Sequence, residues 1–257
     1  MGHERVGILP HTKPWLKVVA QLSGLSKAES SISEIANSTL QNVRNQFRQI
    51  HADMGVKAAF EFLISLSATG FLQPESLNPP IDLLSNPSPL KLASLLQTWV
   101  DAHSQSLEYA DIAKRAAADT IVSWTAQQKQ QPSLFDKANK TQEIWRKAGN
   151  GAGFCEISRA FFAKFTERYL KYFLCREASI VLPDVDRREN FDALFGNHID
   201  VVSRYAFETS KITQSFAAGW FNKYVRGNKL SDPNIEKFLR IAFGKIQDEL
   251  LREVSNQ

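Results

Sequence analysis

Apolar residues return every three or four positions through residues 151–182: Phe154, Ile157, Phe161, Phe165, Tyr169, Tyr172 and Phe173. That spacing puts them on one stripe of a 3.6-residue helix, widened by Leu170 and Leu174. Glu156, Arg159, Lys164, Glu167, Arg168 and Lys171 fall mainly off the stripe and form a charged outer face. A helix with so aromatic a face is unstable alone in water, so partner helices or another protein must cover it.

The rest of the chain repeats the pattern in shorter runs. An extended start over residues 8–12 leads to a first helix, with Pro14 in its opening turn and Gly24 past its end, that turns Trp15, Val18, Val19 and Leu22 inward. Ser26 with Glu29 and Ser31 with Glu34 offer capping boxes to a second. It carries Ile32, Ile35, Leu40, Val43, Phe47 and Ile50 and runs to about Met54. Gly55 is expected to separate it from a third helix, residues 56–69, closed by Gly70. Glu-Ile-Ala followed by Val-Arg within residues 33–47 resembles a helix-turn-helix segment, but the spacing is too short and no glycine supplies the turn.

Five prolines between residues 72 and 89 exclude continuous helix there, leaving a linker or a loop laid on the core. Ser88 and Pro89 restart helix as cap and first residue. Leu92, Leu95, Leu96, Trp99 and Val100, then Leu107, Ile112, Ala116, Ile121 and Trp124, carry the pattern to about Gln128, most weakly over residues 103–106. After a polar break around Pro132, a short helix at 141–148 holds Ile144 and Trp145. Beyond Pro183 and a charged turn, Phe191, Leu194 and Phe195 suggest a short helix ended by Gly196. A long helix from about His198 to Arg226 follows, with Ile199, Val202, Ala206, Phe216 and Trp220 inward. Asp232 and Pro233 open a last helix with a clean stripe from Ile235 to Leu251. With no strand-like run, the expected fold is all-α, an irregular multi-helix bundle. Its expected parts are an N-terminal portion (1–72), a Pro-rich linker or ordered loop (73–88) and a main body (89–257), or one continuous domain.

At 257 residues the chain can bury roughly 70–75 % of its unfolded surface without staples. Cys155 and Cys175, about 30 Å apart on one helix, cannot pair and read as small buried apolar residues of a reducing compartment. No secretory h-region opens the chain, Val6 stands where a myristoylation signal wants Ser or Thr, and the apolar run 62–72 is too short to span a bilayer. These features predict a cytoplasmic protein without membrane partners. The net charge of +4 is uneven: residues 1–128 hold 10 Lys+Arg against 11 Asp+Glu (net −1), residues 129–257 hold 21 against 16 (net +5). An acidic partner would meet the C-terminal half.

Catalytic, cofactor-binding and metal-ligating residues are all read as none. The five histidines are scattered, and metal-ligand, nucleophile-elbow and phosphate-loop patterns are missing. The glycine-rich turn at 149–153 lacks the Lys-Ser/Thr of a phosphate loop and reads as an interhelical turn. Two surface readings are left. Phe162, Trp220 and Tyr224 belong to a region dense in aromatics where one member of a vicinal pair can face outward as an anchor for a protein partner or a second copy. Alternatively, Arg204, Lys211, Lys223, Arg226 and Lys229, with Arg159, Lys164, Arg168 and Lys171, would contact nucleic-acid phosphates while aromatics stack on bases. The first predicts a non-enzymatic helical interaction protein, a subunit or adaptor of a larger assembly or a homo-oligomer. The alternative is a nucleic-acid-binding accessory protein.

Overall fold

Side-chain caps fix where the helices begin. Glu34 N–H donates to Ser31 Oγ (3.3 Å) and Ser31 N–H donates to the Glu34 carboxylate (2.9 Å), closing the expected capping box. Asp53, Ser88 and Asn150 likewise accept from the amides of Val56 (3.0 Å), Lys91 (3.2 Å) and Gly153 (2.8 Å). The computed structural model describes residues 12–25, 31–73, 76–129, 140–182, 184–208 and 216–255. The expectations at residues 8–11, Ser26 with Glu29, Pro132, Pro183 and Lys211 lie outside them. The described residues form α1 (Lys13–Leu25), α2 (Ile32–Gln49), a 3₁₀ turn (Ile50–Ala52), α3 (Met54–Ala68), α4 (Pro89–His103), α5 (Glu108–Lys129), α6 (Lys140–Ala148) and α7 (Gly151–Val181). They continue as α8 (Val185–Glu208), α9 (Phe216–Trp220), a π-helical turn (Phe221–Val225) and α10 (Asp232–Ser255). No strand occurs among them, and the fold is an all-α multi-helix bundle.

Helix α7 runs through the middle, packed against α8 and α5 and touching α1, α2, α3 and α6. Its stripe meets aromatics from distant segments. Phe60 of α3 lies 5.2–6.1 Å, ring centre to ring centre, from Phe154, Phe161, Phe162 and Phe238. Phe47 of α2 meets Tyr169 and Phe243 at 5.5 and 5.6 Å. Such rings add specific edge and stacking contacts to the roughly 1.5–3 kcal/mol that burying each apolar side chain contributes. Helix α3 is apolar nearly all round and buried accordingly. The core continues across the proline-rich segment: Leu77, Ile81 and Leu83 are buried in it, and Ser65 Oγ donates to the Asn78 carbonyl (2.7 Å). Among the described residues no helix is long and apolar enough to cross a membrane.

Several local expectations are corrected. Gly55 lies inside α3, not between helices. A Cβ there would stand 2.6 Å from Ala110 Cβ, so the glycine permits close packing of α3 on α5, and the break falls at Asp53 instead. Gly196 likewise sits within α8, where a Cβ would stand 3.0 Å from Glu167 Oε1; α8 joins the expected short helix to the first part of the expected long one, to Glu208, and residues 216–225 form α9 and the π-helical turn. The 33–47 segment is a single helical run. Leu107 and Leu84 face solvent. Cys175 is at the surface rather than buried, although partial burial of its thiol, with Asp192 nearby, still pushes its pKa up.

Candidate functional site

Four of the cations predicted to meet phosphates are paired with acids from neighbouring turns and helices. Arg159 Nη1 donates to Asp200 Oδ1 (2.7 Å), and Arg204 Nη2 donates to Asp200 Oδ2 (3.0 Å). Arg168 pairs with Asp119 of α5. Lys171 Nζ donates to Glu167 Oε1 (2.9 Å) and to the Asp192 carbonyl (3.0 Å), with Asp192 Oδ1 3.3 Å away. Burial alone would raise the Asp200 pKa, but the hydrogen bonds and charges of Arg159 and Arg204 outweigh it and hold the carboxyl below its ordinary value. Arg159, Arg168 and Lys171 act as latches between α7, α8 and α5, and Arg204 braces Asp200 from within α8. Lys164 is half-buried on α7.

The remaining cations gather where the chain leaves α9. There the hydrogen bonds widen: Arg226 N–H donates to the Phe221 carbonyl (3.1 Å) and Lys229 N–H to the Tyr224 carbonyl (2.8 Å), each five residues back. Phe221 and Val225 point into the core, which leaves Lys223, Arg226 and Lys229 exposed. No acidic group stands within ion-pair distance of these three among the described residues. Asn228 closes the turn with φ +52°, in the left-handed region that asparagine tolerates. The Lys223 ammonium lies 5.0 Å from the Tyr224 ring centre, and the Arg226 guanidinium 5.0 Å from that of Phe71.

Two further cations, Arg146 and Lys147, end α6 beside this turn. The Arg146 backbone passes against Gly70, next to Phe71, while Ala218 and Asn222 pack against Gly151 at the start of α7. Both favour the carbonyl end of α6, where Arg146, exposed, also lies 3.7 Å from Glu143 Oε1. Nothing in the sequence marks them, because their link to the turn runs through Phe71, which faces Arg226 and whose neighbour Gly70 lies against the Arg146 backbone.

The three aromatics expected at an interface differ. Phe162 is 0 % exposed, enclosed by Phe60, Phe207, Phe238 and Phe243, which corrects its assignment as a surface anchor. Trp220 is half-buried; its indole N–H donates to the Asn234 carbonyl (3.3 Å) and its ring lies 4.7 Å from Phe238. Tyr224, also half-buried, stands 5.7 Å from Trp220. In the pair Tyr172 and Phe173 the outward member is Tyr172, 37 % exposed, whose hydroxyl donates to Glu108 Oε1 (3.3 Å).

A second polar feature lies on the other side of the same turn. A cavity of about 240 Å³ opens between α3, residues 76–78 and residues 225–235, with Glu61, Asn78, Asn228 and Asp232 on its walls. Burial raises the Glu61 pKa, Lys57 opposes that in part, and Asp232 adds to it. No group of three or more His, Cys, Asp or Glu among the described residues is arranged to hold a metal ion. No protein-family model matches this chain, and no curated protein or solved structure is significantly similar to it.

Proposed function

We propose that this chain is a non-enzymatic helical interaction protein, a subunit or adaptor that meets an acidic partner through the basic end formed by Lys223, Arg226 and Lys229 with Arg146 and Lys147. One observation carries the reading. Arg159, Arg168, Lys171 and Arg204 of α7 and α8 are paired with acids of the fold, whereas the cations of the 221–229 turn are exposed and without an acidic partner among the described residues. Exposed cations without counter-charges attract acidic surfaces and speed encounter. π-Helical turns also concentrate at functional sites. A cytoplasmic setting belongs to the same proposal, supported by Cys155 and Cys175 standing as thiols rather than as a disulfide.

Nucleic acid is the second reading, favoured by the half-exposed Tyr224 and Trp220 beside Lys223 and Arg226, which together offer stacking faces and phosphate contacts. Titration into labelled single- and double-stranded nucleic acid, and in parallel into a glutamate-rich peptide, separates the two. Three phosphate contacts would lower nucleic-acid affinity roughly 20- to 40-fold between ~50 and ~200 mM salt. Binding of the peptide alone supports the adaptor reading, binding of nucleic acid the second, and binding of neither sinks both.

A further inference from the structure

The cavity beside the turn has an unusual chemical imbalance. Glu61 reaches it from α3 with its side chain only 15 % exposed, yet no hydrogen-bond donor reaches the carboxylate among the described residues. Its nearest cation, Lys57 Nζ, stands 3.9 Å away, and that ammonium donates instead to Asp232 Oδ2 at 2.5 Å. Of the hydroxyl and amide donors on the walls, Ser65 Oγ is taken up by the Asn78 carbonyl (2.7 Å), and none of the others donates to Glu61. A partly shielded carboxylate with no protein donor depends on water or a guest for its hydrogen bonds. Two carboxylates against one ammonium leave the site net negative by one charge.

The walls narrow the guest further. Ile64, Leu77, Val225 and Ile235 line the cavity, so its interior suits a short hydrocarbon body. Its volume of about 240 Å³ gives room for a few carbons. A divalent metal ion fits poorly: it wants six or more oxygens and would sit against the Lys57 charge. An anionic guest would face Glu61 and Asp232. We propose that this cavity is a binding site for a small alkylammonium group, its cation hydrogen-bonded to Glu61 and its carbon chain against Ile64, Leu77 and Val225. The group is carried by a free amine or by a lysine side chain of a partner protein.

The elevated Glu61 pKa agrees with this assignment, because it marks a carboxylate short of positive charge; the titratable groups facing it are Lys57, Asp232 and His103. Amide chemical shifts of the full chain, followed by NMR during titration with n-butylammonium, n-butanol, butyrate and an N-acetyl-lysine amide, test the proposal. Butylammonium is expected to give saturable shifts at Glu61, Asn78 and Asn228, with no such response to butanol or butyrate. Glu61→Gln, nearly isosteric and free of the buried charge, is expected to weaken that binding about tenfold or more with the thermal midpoint kept or raised. A response to the lysine amide as well identifies a protein side chain as the guest; a response to butylammonium alone identifies a free amine. Equal shifts with butyrate or butanol, no saturable shift with butylammonium, or undiminished affinity in a folded Glu61→Gln variant would overturn it.

Discussion

The two cationic surfaces of the C-terminal half have similar compositions and opposite circumstances. On α7 and α8, Arg159, Arg168, Lys171 and Arg204 each find an acid from a neighbouring turn or helix, and their charges tie the bundle together. At the 221–229 turn, Lys223, Arg226 and Lys229 find none within reach among the described residues. Net charge along a stretch therefore says little about its availability to a partner. What decides it is which helices the fold lays alongside, since a charge 41 positions away in sequence, as Asp200 is from Arg159, can lie 2.7 Å away in space.

The sharpest separation of core from surface concerns the aromatics. Phe162→Ala should lower stability by ~3–5 kcal/mol, because its fully buried ring touches α3, α8 and α10, whereas Tyr224→Ala should change it far less; thermal and urea unfolding read both. Equal losses would erase the distinction between buried stripe and exposed turn. Next in size is charge reversal at the turn. Lys223→Glu with Arg226→Glu and Lys229→Glu should remove the roughly 20- to 40-fold salt response expected of three phosphate contacts, or the peptide binding, while moving stability by no more than about 0.5 kcal/mol per site. The same exchange at Arg159 and Arg168 should mainly weaken the fold.

Asp200→Asn tests the latches from the acid side. Because the Asp200 pKa is held below its ordinary 3.8, its contribution is present above that value and is lost as pH falls through the lower folded one. Discounted for partial exposure, that contribution is about 1 kcal/mol at neutral pH, so the variant should be less stable there and converge with the parent in acid. The smallest effect has the opposite sign. Glu61 has a raised folded pKa, so its charge opposes folding above that pKa, and the penalty fades as pH falls toward 4.5. Glu61→Gln should therefore match the parent near pH 4.5 and be slightly more stable at neutral pH. A variant less stable at neutral pH would show that Lys57 already pairs Glu61 adequately.

Much of the fold was legible because its signals are local. Ser31 with Glu34 and Ser88 with Pro89 mark helix starts through contacts within one turn, Asp232 and Pro233 stand at the first two positions of α10, and the α7 stripe announces its own burial. Gly55 and Gly196 misled because a glycine inside a helix looks like a glycine after one until its neighbour across the interface is known. The candidate site was legible only in part. Lys223, Arg226 and Lys229 could be read from an acid-free run, but the partners of Arg159 and Arg168 lie on other helices. Phe162 looked like one half of an outward-facing pair because a single helix offers two sides, whereas α7 is covered on both. The Glu61 cavity has no sequence signature, since its walls come from α3, the proline-rich segment and the last turn before α10.

The central claim is that an acidic partner is met at the 221–229 turn and not along α7 and α8. Anisotropy titrations of the parent chain, the Lys223/Arg226/Lys229 triple glutamate variant and an Arg159→Gln/Arg168→Gln variant test it directly, with labelled nucleic acid and a labelled glutamate-rich peptide at ~50 and ~200 mM salt. Salt-sensitive binding of one of the two polymers is expected of the parent and of the folded α7 variant, and its loss is expected in the triple variant. Binding that survives the triple reversal, or no binding of either polymer at the lower salt, would contradict it.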